Sequence, residues 1–153
     1  MAYGGMVHAL EEIRRILKPT GVLIDIHPVA EDSLVEVHQG GNIDLVGRWT
    51  VPQWCTDYQQ ADDALSEIVH RGLYSVERES VFDSRTYYST LEEMRADMME
   101  SVDVFARDDQ SADEAMPNTE ALATRAEELV QSALGGAELA VHERAHIRRL
   151  KPI

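Results

Sequence analysis

Apolar residues recur at three- and four-residue spacing from Met6 to Leu17, with Glu11, Glu12, Arg14 and Arg15 between them. The spacing of Met6, Val7, Leu10, Ile13, Ile16 and Leu17 predicts an amphipathic helix with one buried face. Lys18 suits the negative end of the helix dipole and Pro19 cannot extend the hydrogen-bond ladder, so the helix is expected to stop near Lys18. Gly21 can turn the chain. Val22 to Ile26 is then almost continuously apolar, the pattern of a strand covered on both faces, with Pro28 and Glu31-Asp32 closing it.

Leu34 to Val37 and Ile43 to Trp49 flank Gly40-Gly41-Asn42, which predicts a hairpin. Ala61, Ala64, Leu65, Ile68 and Val69 form a second helical stripe that Gly72 ends. From Leu73 to Tyr88 the chemistry turns to β-type, with Tyr74, Val76 and Phe82 on one parity and a bulge or break expected near Asp83-Ser84. Ser89-Thr90-Leu91-Glu92 reads as a capping box opening a helix through Phe105, with Leu91, Met94, Met98, Val102 and Phe105 as its stripe. Arg107 to Pro117 is acidic, small and aperiodic, hence an expected loop. Asn118 is expected to cap a last helix with Leu122, Ala126, Leu129, Val130 and Ala133 inward, ended by Gly135-Gly136. Leu139 to Leu150 fits two readings. Its alternation, with His142, Arg144, His146 and Arg148 on one parity, suits a half-buried strand, whereas its Ala, Glu, Leu and Arg content suits a helix.

Composition narrows the class. The chain has 153 residues, enough for one domain with a genuine core, and residues 1–153 are expected to form a single domain. Its net charge is -14, and residues 92–128 carry twelve acidic side chains against Arg95, Arg107 and Arg125. A field of that sign repels phosphate backbones and anionic lipid, so neither nucleic acid nor a membrane surface is an expected partner. No apolar run reaches bilayer-spanning length and no signal-peptide order opens the chain, which makes a cytoplasmic protein the default expectation. The single cysteine, Cys55, is read as an inert thiol in a reducing compartment.

The segment Ala9 to Ile26, a helix ending in Leu17-Lys18-Pro19-Thr20-Gly21 followed by the strand Val22-Leu23-Ile24-Asp25-Ile26, resembles the helix and fifth strand of class I S-adenosylmethionine-dependent methyltransferases. That family ends the helix in Leu-Lys-Pro-Gly-Gly, and here Thr20 replaces the first glycine. The later order of helix, β segment, capped helix and closing segment also follows the family, so the chain is similar to the carboxyl-terminal half of such a domain. The resemblance implies an α/β or α+β fold: a truncated, mixed sheet with an antiparallel hairpin at its end, covered by helices. It implies no cofactor site in this chain alone, because the family's Gly-rich loop and ribose-binding acid come earlier. Gly4-Gly5 lacks a preceding strand and G-x-G-x-x-G spacing. The expected role is that of a non-catalytic domain acting as a homodimer or with a partner polypeptide. The alternatives are a methyltransferase completed by a partner or upstream segment, which would then hold S-adenosylmethionine, and a small-molecule binding module.

Candidate chemistry is sparse. Asp25 could serve as a site carboxylate, although a hydrogen-bonded or exposed acid is the plainer reading. His142 and His146, four apart, share a face in either conformation, but Arg144, Arg148 and Arg149 would repel a cation, so no metal site is expected. Cys55 lacks the signature of a nucleophile, and no P-loop or G-x-S-x-G elbow occurs. Arg48, Trp49, Trp54, Tyr87 and Tyr88 remain as a possible ligand-pocket wall, since aromatic side chains with polar tips line many small-molecule sites, with core or dimer packing as the competing use.

Overall fold

The computed structural model describes residues 3–105, 109–133 and 136–153. In chain order the elements are α1 (Tyr3–Ile16), β1 (Leu23–Pro28), β2 (Ser33–Gln39), β3 (Asn42–Trp49), α2 (Pro52–His70), β4 (Tyr74–Tyr88), α3 (Leu91–Phe105), α4 (Asp109–Ser132) and β5 (Glu138–Pro152). This is an α/β fold. The contacts group into two compact units, one of Met1–Ala30, Cys55–Phe82 and Arg144–Ile153, the other of Glu31–Trp54 and Asp83–Glu143. The long strands β4 and β5, which pair with each other, run through both.

In the first unit α1 and α2 cover one face of β1 and the carboxyl-terminal half of β5. Val7, Leu10, Ala64, Leu65, Ile68, Tyr74 and Leu150 form the core, with Leu17 and Leu23 packed on it. The helical spacing of Val7 and Leu10, and of Ala64, Leu65 and Ile68, delivers these side chains to one side. The buried Tyr74 hydroxyl is satisfied by donating to the Leu10 carbonyl at 3.1 Å. Arg14 donates to the carbonyls of Leu73 and Ile153, tying the end of β5 to α1.

β1 lies antiparallel to β5, Leu23 opposite Leu150 and Ile26 opposite Ile147. The expectation of a strand covered on both faces is corrected here. Leu23 turns toward the helices, whereas Ile24 and Ile26 are 48% and 59% exposed. The strand also continues through Pro28, whose missing N–H is tolerated because that position points away from β5.

In the second unit β2 and β3 form the expected hairpin. Gly40 and Gly41 hold φ of 56° and 85°, which the tight two-residue connection requires and which side chains other than hydrogen disfavour. β2 also pairs antiparallel with the first half of β5, Val35 opposite Val141 and Val37 opposite Leu139. Every pairing with an assigned register is antiparallel, in contrast to the mixed sheet expected. The 139–150 ambiguity resolves as strand, and β4 continues unbroken past Asp83-Ser84.

Two helix readings shift. The α3 cap is Thr90, whose hydroxyl accepts the Glu93 N–H at 3.1 Å while Glu93 accepts the Ser89 N–H at 2.9 Å, so the box sits one residue later than read. The expected loop before Asn118 is instead the first part of α4, which runs through Pro117. Ala115, Thr119, Leu122 and Ala126, at spacings of four, three and four, are buried on its inner side and outweigh the proline. Residues 106–108 and Gly135, parts of the expected loop and helix end, lie outside the described residues. Asn118 caps β3 rather than a helix: it accepts the Thr50 N–H at 3.0 Å and donates to the Arg48 carbonyl at 3.3 Å.

Candidate functional site

Strand alternation concentrates ionisable side chains in one cluster per unit. In the first unit Asp25 and His27 are two apart on β1 and therefore share a face. The register sets them opposite Arg148 and His146 of β5. Asp62 of α2 completes the group. His27 Nδ1 is 3.0 Å from Asp25 Oδ2 and its Nε2 is 3.3 Å from Asp62 Oδ1. With a carboxylate at each ring nitrogen, the doubly protonated ring satisfies both. The hydrogen bond with Asp25 raises the His27 pKa above the ordinary imidazole value, against partial burial, which lowers it, and the negative charge of Asp62 adds to the rise.

Arg148 bridges the two carboxylates. One terminal nitrogen donates to Asp62 Oδ1 at 2.7 Å; the other, buried without a hydrogen bond, lies 3.6 Å from Asp25 Oδ2. His146 is 3.8 Å from Asp62 Oδ2 and its ring lies 5.5 Å from that of His27. Among the described residues, no group of three or more His, Cys, Asp or Glu side chains could hold a metal ion. In this cluster the guanidinium already fills the space between the acids.

In the second unit the centre is Glu36, 4% exposed on β2. It accepts from His38 Nε2 at 2.8 Å, Arg85 Nε at 2.9 Å and His142 Nδ1 at 2.9 Å. His142 Nε2 lies 2.8 Å from Asp83 Oδ1. Burial alone would raise the Glu36 pKa, but the hydrogen bonds from Arg85, His38 and His142 outweigh it and hold the carboxyl at about 2. Glu36 is thus an anion with its lone pairs engaged. The first cluster links β1, β5 and α2 by ion pairs and hydrogen bonds, and the second links β2, β4 and β5.

The aromatic candidates are only partly brought together. Trp49 and Trp54 are buried against each other, ring centres 4.8 Å apart at 79°, and Trp49 Nε1 donates to Thr119 Oγ1 at 3.0 Å. Tyr88 is buried and donates to Asp97 at 2.5 Å; burial first, then that contact, raises its pKa. Tyr87 is exposed, edge-on to His38 at 5.4 Å, and Arg48 is exposed on β3. Asp25 is a member of the first cluster, and Cys55 is half-buried and in no disulfide. His142 and His146 do not act as a pair, since each joins a different cluster.

Sequence reading missed both clusters as groups. The signal was present in Asp25-x-His27 and Glu36-x-His38, each an acid and a histidine on one strand face, together with the basic parity of β5. No family model, curated protein or solved structure matches the chain.

Proposed function

We propose that this chain is a methyltransferase-like domain that works by pairing with another polypeptide along the open edge of β1 and does not itself transfer a methyl group. The likeness rests on α1, the Lys18-Pro19-Thr20-Gly21 turn and β1, followed by closing strands in which β5 runs antiparallel to β1 and also pairs with β4.

The carrying observation is the edge. Among the described residues β1 pairs only with β5. Val29 N–H donates to the Arg144 carbonyl at 2.8 Å, so with the observed register the odd-numbered backbone groups of β1 face β5. The N–H and C=O of Ile24 and Ile26 point the other way. Unpaired strand edges are templates for another strand. Antiparallel pairing of Ile24 with Ile26 of a second copy, and the reverse, satisfies all four groups under two-fold symmetry, which makes a homodimer the simplest assembly.

Light scattering on the purified chain is expected to give twice the 17.2 kDa chain mass, and titration calorimetry with S-adenosylmethionine to give no heat. A strict monomer at micromolar concentration contradicts the pairing. Binding of S-adenosylmethionine by the chain alone contradicts the non-catalytic role.

A further inference from the structure

A cavity of about 250 Å³ in the first unit, touching the first ion-pair cluster only through Glu79, is lined by Ile24, Arg78, Glu79, Ser80, Ile147 and Arg149. Its apolar side follows from the register: Ile24 pairs with Arg149 and Ile147 with Ile26, so these side chains share the face of the β1–β5 pair opposite the helices. Ile147, like Ile24, is partly open to solvent, at 36%. Burying either is favourable, and a ligand in the cavity would do so.

The charged lining residues are unequal. Arg149 is bound to Glu77 at 2.9 Å, and the Glu79 carboxylate lies 3.6 Å from Arg148. Arg78 has no ion pair or side-chain hydrogen bond among the described residues. Arg78 shares this with Arg48 and Arg125 but, unlike them, stands beside exposed isoleucines in the cavity wall. The Ser80 hydroxyl is weakly used, donating at 3.4 Å to the Val81 carbonyl.

We infer that this cavity binds a monocarboxylate with a short apolar tail. Arg78 holds the carboxylate, the Ser80 hydroxyl turns to donate to it, and the tail lies on Ile24 and Ile147. A guanidinium is suited to a carboxylate by its planar fork of donors. Glu79 on the same wall disfavours dianions, and the isoleucines give nothing to a small inorganic ion. At about 30 Å³ for each water-sized group, the volume takes about eight non-hydrogen atoms, the size of hexanoate. The site lies on the sheet face and pairing of β1 uses its edge; they share Ile24, while Arg78, Ser80 and Ile147 belong to the site alone.

The test is a heteronuclear NMR titration of the full chain with hexanoate, hexan-1-ol and inorganic phosphate, each to about 10 mM, a range suited to a ligand of this size. Hexanoate is expected to shift the amides of Ile24, Arg78, Ser80 and Ile147 saturably, with hexanol and phosphate at least about tenfold weaker, as expected for loss of a charge-assisted contact or of the apolar one. Arg78→Gln, at an exposed position without partners, is expected to keep the fold's spectrum and to weaken hexanoate about tenfold. Ile147→Thr is expected to weaken it while leaving Arg78 in place. The inference is overturned if hexanoate gives no saturable shift, if hexanol binds equally well, or if folded Arg78→Gln binds hexanoate as the parent chain does.

Discussion

Glu36 shows how a buried charge is kept. Its carboxylate is removed from water, yet two histidines and an arginine return the hydrogen bonds that water would have supplied. Glu36→Gln keeps one acceptor oxygen but removes the charge and sets an NH2 donor against donor partners, so a loss of about 3 kcal/mol is expected in denaturant unfolding at pH 7. The pH dependence has a defined sign. A carboxyl held at about 2 in the fold and near 4.5 when unfolded contributes stability that is fully present above 4.5 and lost as pH falls toward 2. The variant's acid transition is expected to be correspondingly flatter. His27 has the opposite sign: its pKa is raised in the fold, so its contribution is complete below 6.5 and disappears as pH rises through the raised value. Unfolding measured from pH 5.5 to 9 is expected to show that decline in the parent chain and to lack it in His27→Gln.

Elements were legible where a single local device sets them. The Gly40-Gly41 turn and the three- and four-residue stripes of α1 and α3 needed no tertiary information. α4 was not legible, because Pro117 and a run of small acidic residues argue locally for a loop while burial of Ala115 and Thr119 decides for a helix. β1 misled for a related reason: apolar side chains on both parities read as two covered faces, whereas Ile24 and Ile26 lie open. The clusters stayed hidden because Asp62 and Arg85 reach them from 35 and 49 positions away in the chain. Close packing in the second unit yields a further test. A Cβ on Gly47 would come 2.7 Å from Leu122 Cδ2, which anchors α4 over β3, so Gly47→Ala is expected to lower stability by about 1–2 kcal/mol in thermal or denaturant unfolding. An unchanged midpoint would show that Leu122 repacks freely.

At the level of the whole molecule the charge pattern and the open edge act together. Acidic side chains gather along residues 92–128, and β1, carrying Asp25 and His27, has an open edge whose backbone groups are those proposed to pair. Association is therefore expected to strengthen with added salt, as repulsion between the acidic surfaces is screened, which sedimentation at about 20 and 300 mM salt would measure. The edge itself can be read most directly by amide hydrogen exchange in the purified chain. Ile24 and Ile26 are expected to exchange fast at low concentration and to become protected as concentration rises, while Asp25 and His27, bonded to β5, stay protected throughout; fast exchange at Ile24 and Ile26 at every concentration would contradict pairing through β1.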